Sequence, residues 1–231
     1  MTILKDERIG GQRLILGDCL EVMPSLGVFD SVVTDPPYGM GFVSNHRAGN
    51  GYKPIANDES TELLCWACEL IANHSKYIFM RWNNLYDVPK PKSLITWVKN
   101  NHSMGDLEHE HGRKTEVCAF YTGTNHSWPK HRPNDVLMGT RTGNEMHPTQ
   151  KPVGLMRNVI EWTSGTVLDP FMGSGTTLVA CEKMGRAGTG IELDPEYFEI
   201  ACKRVDEATR QIDMFVEPQA PVIQEAMFGS E

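Results

Sequence analysis

The stretch "GTVLDPFMGSGTTLVACEKMGRAGTGIELD", residues 165–194, decides the fold of this chain. It opens on an apolar run, turns through glycines, continues at helical spacing to Gly185, and climbs through a second run into an acid. Strand, glycine turn, helix, strand, carboxylate is the repeating unit of an α/β doubly wound sheet. Gly173 and Gly175 let the backbone turn tightly and approach a ligand. The helix from Thr176 then points its first N–H groups at the same place.

Glu192 ends the second strand about 20 residues on, where a carboxylate accepts hydrogen bonds from ribose hydroxyls. The glycines fall short of the full dinucleotide fingerprint. Asp169 in the turn would repel a pyrophosphate, and it suits a ligand carrying a positive ammonium group. An adenosine ligand with such a group and no phosphate meets both conditions. S-adenosylmethionine is one.

Outward from this unit the alternation continues. Strands are expected at "RLIL" (13–16), "SVVT" (31–34), "YIFM" (77–80), "LITWV" (94–98), "VCAFY" (117–121), "TVLD" (166–169) and "AGTGIE" (187–192). Several are unbroken apolar runs, as in strands covered on both faces. Helices are predicted at about 60–74, 152–163, 175–184 and 195–213, the last capped by Asp194 with Pro195 in its first turn. The expectation is a seven-stranded, mostly parallel, doubly wound sheet in a single domain over residues 1–215. Residues 39–57 and 100–146, rich in Gly, Asn, His and Pro, read as long loops, and compact domains rarely keep such loops without a use. Residues 216–231 read as a flexible tail.

Composition bounds the function classes. Hydrophobic residues make up 40% of the 231 and charged residues 23%, ordinary for a globular protein. No run approaches the ~20 apolar residues that cross a bilayer, and the polar start "MTILKDERIGGQ" does not suit a signal peptide, so a cytoplasmic location is expected. The six cysteines are scattered. Only Cys65 and Cys68 are close, in "CWAC", and two packed helix thiols outweigh a zinc site there, so no metal is expected. The net charge of −8 speaks against a nucleic-acid partner only if charge is averaged over the chain. Between 88 and 133, seven Lys and Arg face four acids, with five histidines among them.

The order of motifs resembles the S-adenosylmethionine-dependent DNA amino-methyltransferases of the N4/N6 family, in their β arrangement. "DPPY" (35–38) precedes "HPTQKP" (147–152), then "DPFMGSGTT" (169–177) and "GIELDPEY" (190–197), with "GDCLEVM" (17–23) upstream. The matches run in order from about 13 to 205. The resemblance implies a Rossmann-like methyltransferase sheet with S-adenosylmethionine as cofactor. Asp18, beside Cys19, would meet the adenine and Glu192 the ribose. Asp169, Phe171, Gly173, Ser174 and Gly175 would line the methionine end, with Asp35 nearby and Gln150, Lys151 and Pro152 closing over it.

The resemblance also places the chemistry in Asp35, Pro36, Pro37 and Tyr38. An exocyclic amine on adenine or cytosine is a poor nucleophile, because its lone pair is delocalised into the ring. The Asp35 carboxylate and the Pro36 carbonyl could each accept one amino hydrogen and stabilise the developing positive charge. Two prolines hold these acceptors with little freedom. The Tyr38 ring can stack on a base flipped out of the duplex.

Aspartate in first position leans toward adenine N6, since cytosine-N4 members more often carry serine. Cytosine N4, RNA, or a catalytically silent DNA-binding module are the alternatives. Double-stranded DNA is the expected partner, with Arg113, Lys114, Lys130 and Arg132 as contacts. A homodimer is expected from the family. "QIDMF" (Gln211–Phe215) and "QEAMF" (Gln224–Phe228) resemble the peptides that dock on bacterial sliding clamps.

Overall fold

The computed structural model describes residues 2–39, 58–100, 108, 109, 111, 112, 114–139 and 150–210. Its centre is one mixed sheet built from β1 (Lys5–Ile9), β2 (Gln12–Leu16), β3 (Phe29–Thr34), β4 (Ala72–Met80), β5 (Ser93–Lys99), β6 (Thr115–Thr122), β7 (Val136–Gly139), β8 (Val167–Asp169) and β9 (Gly188–Glu192). The strand order is β1-β2-β9-β8-β3-β4-β6-β5-β7. Nine strands therefore stand, among the described residues, where seven were expected.

Both additions are edge strands, and each hides its signal. β1 reads KDERI and is mostly exposed, so no apolar run announces it. It forms because Gly10, at φ +57°, folds it back antiparallel on β2. β7 has four residues, of which only Leu137 is buried. The seven expected strands are all present.

Among the described residues five helices cover the sheet: α1 (Cys19–Val22), α2 (Glu62–Glu69), α3 (Val153–Glu161), α4 (Thr176–Lys183) and α5 (Pro195–Arg210). Alternate side chains along each inner strand feed opposite faces. Tyr77 and Phe79 of β4 join Val159 and Ile160 of α3, whereas Ile78 and Met80 join Leu64 and Cys68 of α2. On β2, Leu14 and Leu16 pack on α5, and Ile15 packs beside Cys19 of α1. The helix predicted over 60–74 stops at Glu69, because Ala72 already enters β4 and pairs with Phe29 of β3.

The connection from β3 leads to β4 on one side, and that from β8 leads to β9 on the other. β3 and β8 are themselves neighbours, paired at Ser31–Val167 and Val32–Leu168. Their carboxyl ends thus flank a topological switch point, the crevice where open α/β sheets bind ligands.

Candidate active site

On the β8 side the crevice is a glycine turn ringed by acids. Gly173 and Gly175 have φ of +51° and +78°, a region L side chains rarely adopt. Gly175 also has no room, since a Cβ there would stand 2.9 Å from that of Ala201 on α5. Glu192 braces the turn: its Oε2 accepts from the Gly173 N–H at 2.9 Å and its Oε1 from the Asp194 N–H at 2.8 Å. Asp18, after β2, caps α1 by accepting from the Leu20 N–H at 2.8 Å. Asp169 accepts from the Thr34 hydroxyl at 2.6 Å, the Thr177 hydroxyl at 2.5 Å and the Phe171 N–H at 3.1 Å.

These acids are held by neutral dipoles. Burial pushes the Asp169 carboxyl up to about 6 and that of Glu192 to about 7, against the hydrogen bonds they accept. Phe171 beside the turn meets Trp66 of α2 edge-on, with centroids 6.0 Å apart, and supplies an apolar wall. Cys19 is buried against Ile15 and Ile191, its thiol pushed by burial up to about 12. Ser174 is buried too, and Arg204 of α5 clamps it, donating to its carbonyl at 2.5 Å and its hydroxyl at 2.7 Å. No sequence motif pointed to Arg204. The only available signal was a cation on the face of α5 that packs against the turn.

On the β3 side the same crevice is organised by ion pairs. Asp35 leaves the end of β3, one residue past the Thr34 that bonds Asp169. Its Oδ2 accepts from Lys151 Nζ at 2.6 Å, and its Oδ1 accepts from the Tyr38 hydroxyl. Lys151 Nζ also lies 3.2 Å from Oε2 of Glu116 on β6, whose Oε1 pairs with Lys99 of β5 at 2.9 Å. Burial alone would raise Glu116, but the charges of Lys151 and Lys99 outweigh it and hold the carboxyl at about 2. Burial pushes Asp35 up in spite of Lys151 beside it. Tyr38 is fixed by its carbonyl, which accepts from the Asn84 side chain at 3.0 Å, and the next N–H, of Gly39, donates to Asp58 at 2.8 Å.

The structure therefore brings Asp18, Cys19, Asp35, Pro36, Pro37, Tyr38, Lys151, Asp169, Phe171, Gly173, Ser174, Gly175 and Glu192 to the same end of the sheet, with Gln150 and Pro152 flanking Lys151. The expected DNA contacts are not gathered in this way. Lys114 sits at the end of the sheet where Asp35 lies, its carbonyl accepting from the Lys99 N–H at 2.7 Å. Lys130 pairs with Glu161 at 2.5 Å, at the far end of α3 from Lys151, and Arg132 follows it. Arg113, residues 40–57 of the first expected loop, residues 101–107, 110 and 140–146 of the second, His147 to Thr149 of "HPTQKP" and both clamp-like peptides lie outside the described residues. β7 (Val136–Gly139) is a strand within what was expected to be loop. Of the "CWAC" thiols, Cys68 is buried in the core and Cys65 Sγ approaches the Asp87 carbonyl at 3.3 Å.

One further feature escaped the sequence reading. A 3-10 turn at Trp82–Tyr86 follows β4 and is tied to Tyr38 by Asn84. It leaves Trp82 61% and Tyr86 85% exposed, large rings facing water at the same end of the sheet as Asp35.

Comparison with known proteins places the chain in a family. A family model described as DNA methylase, of the N6/N4 class, matches residues 106–203. Type II methyltransferase M2.DpnII of Streptococcus pneumoniae is 44% identical over 221 residues, 77% of this chain and 82% of that protein. Type II methyltransferase M.ScaI of Streptomyces caespitosus is 39% identical over 255 residues, covering 82% and 80%. Among solved structures, the M1.HpyAVI–SAM complex superposes with a TM-score of 0.64 at 26% identity, over 84% of this chain and 99% of that one. The cytosine-N4-specific PvuII DNA methyltransferase shares the fold, with a TM-score of 0.66 at 16% identity over 90% and 94%.

Proposed function

The chain belongs to the N6/N4 family of DNA methylases, and from that premise we propose that it methylates the N6 amino group of adenine in double-stranded DNA. S-adenosylmethionine is the methyl donor. The residues present fit it: the turn is ringed by carboxylates that disfavour a pyrophosphate and favour a cation, and its glycines leave the backbone open. Glu192 and Asp18 would hold the ribose and adenine, and Phe171 would flank the methionine end. When bound, the donor supplies an electrophilic methyl group on a sulfonium.

The chain's own residues prepare the acceptor. Asp35 and the Pro36 carbonyl accept the two amino hydrogens, which draws the nitrogen toward tetrahedral geometry and frees its lone pair. As positive charge develops there, the Asp35 carboxylate stabilises it in place, already oriented by Lys151 and Tyr38. Two prolines after Asp35 keep this acceptor pair from relaxing. Tyr38 stacks on the flipped base. The bond from nitrogen to the methyl carbon would form as the carbon–sulfonium bond breaks to leave a neutral thioether, and the proton shed by the nitrogen would pass to solvent.

One observation carries the adenine reading: the first residue of the tetrapeptide is an acid, held at the end of β3 beside the donor pocket. Incubation with unmethylated DNA, followed by digestion to nucleosides and chromatography, tests it. N6-methyldeoxyadenosine is the expected product. N4-methyldeoxycytidine would overturn the base assignment and leave the family standing. Lys114 and the exposed rings of Trp82 and Tyr86 are the described residues best placed to meet the duplex. A homodimer belongs to the same proposal, and light scattering with and without DNA tests it. Docking on a sliding clamp through the tail is tested by titrating labelled peptide 207–231 with a bacterial clamp.

A further inference from the structure

Four charged side chains run from the crevice into the sheet with alternating sign: Asp35, Lys151, Glu116 and Lys99. Lys151 Nζ stands 2.6 Å from Asp35 and 3.2 Å from Glu116, and Lys99 Nζ stands 2.9 Å from Glu116 on its other side. The Lys151 and Lys99 side chains are 7% and 5% exposed, so carboxylates rather than water hold their charge. The family motifs account for Asp35 and Lys151. Nothing accounts for Glu116 or Lys99.

We infer that Glu116 and Lys99 are positioning residues for the Asp35 carboxylate, acting through the shared ammonium of Lys151. The inference rests on Asp35 as acceptor of the target amine. Both Asp35 oxygens already have partners, Lys151 on one and the Tyr38 hydroxyl on the other. An arriving amine needs one of them, and as it gains positive charge two cations crowd a single carboxylate. Glu116 offers Lys151 a second anion at nearly bonding distance, so the ammonium can move off Asp35 without losing a partner. Lys99 opposes that pull from the far side of Glu116. The line of charges thus fixes how much of Lys151 is spent on Asp35. The other titratable groups around Asp35 are Tyr38, Cys118 of β6 and Asp169 of β8.

The test is the pH profile of single-turnover methyl transfer at saturating S-adenosylmethionine, for wild type, Glu116→Gln, Lys99→Gln and Asp35→Ala. Glu116→Gln leaves Lys151 to Asp35 alone. Transfer should slow about 10–100-fold, and the acid limb should move to lower pH by about half a unit or more. Lys99→Gln lets Glu116 draw Lys151 away, so the acid limb should move to higher pH with a smaller loss of rate. A loosened core does not displace one limb in opposite directions. Calorimetry should give cofactor affinities within about twofold of wild type. If Glu116→Gln does not fold, Glu116→Asp keeps the charge and withdraws it from Lys151, giving the downward shift in reduced size. Coincident limbs, or shifts of the same sign, overturn the inference. If Asp35→Ala still turns over, the reading of Asp35 falls with it; if Asp35→Ala is silent and the limbs coincide, only the inference falls.

Discussion

The two sides of the crevice hold their acids by different means. On the β8 side, Asp169, Glu192 and Asp18 are bonded, among the described residues, to N–H and O–H groups. On the β3 side, Asp35 and Glu116 are bonded to ammonium groups. Dipoles orient a carboxylate without cancelling its charge, whereas a lysine cancels it. On the β8 side burial favours the neutral acid, and no lysine cancels the charge of these carboxyls once they ionise. The β3 side is charge-balanced before anything binds. Its anions can act on a neutral base only to the degree that Lys151 releases them.

Asp35→Ala should separate the two sides most sharply. Methyl transfer should fall by about a thousandfold or more, with cofactor affinity changed by less than about threefold, as read by radiolabel transfer and calorimetry. An Asp35→Ala protein that no longer binds S-adenosylmethionine would break the division. Gly175→Ala should do the reverse, through the β8 side. The new methyl group would meet Ala201 in a backbone conformation with positive φ, costing about 2–3 kcal/mol of stability and most of the cofactor affinity.

Stability against pH should carry opposite signatures of the two sides. Glu192 has its folded value raised from 4.5 to about 7, so the folded protein binds more protons in that window, and stability should fall as pH rises through it. Glu116 is lowered from 4.5 to about 2, so the stability it contributes is present above 4.5 and lost as pH falls toward 2. Each contribution is about 1–3 kcal/mol. Thermal melts of the unliganded protein from pH 3 to 8 check this: Glu192→Gln should flatten the decline on the alkaline side only, and Glu116→Gln the decline on the acid side only. Since Glu192 must ionise to favour a cation, cofactor affinity should improve over the same pH rise that weakens the free protein.

Smaller effects refine the division. Arg204→Met should cost about 1–2 kcal/mol and weaken cofactor binding several-fold, because the Ser174 carbonyl and hydroxyl lose their donor. Trp82→Ala should leave melting within about 0.5 kcal/mol of wild type, since the ring is mostly exposed, and weaken DNA binding several-fold. Unchanged DNA affinity would remove that ring from the interface.

The β8 side was almost fully legible in the sequence, because its residues are contiguous: one 30-residue stretch contains both strands, the turn and the acid. The β3 side was legible only as far as "DPPY" and "QKP". Glu116 and Lys99 gave no signal, being single charges on apolar strands whose pairing partner lies in another segment. β1 and β7 were missed for a related reason. An edge strand need not be apolar, and its hydrogen bonds to β2 or β5 leave no mark in its own residues. Arg204 lies on a helix that was expected, yet its target is set by packing.

The bond from Thr34 to Asp169 that joins the two sides spans 135 residues of chain. During synthesis at about 5–20 residues per second, β3 leaves the ribosome on the order of 10 s before β8 can exist. Once β4 has followed, the strand that becomes the middle of the sheet has it on one edge and, until β8 is made, lacks its neighbour on the other. Production of this protein should therefore depend on whatever shields that edge, and slower translation should lengthen the exposure. A fragment that ends before β8 should gain no partial activity and should aggregate through β3, because neither half of the crevice can be built first and wait in a stable form.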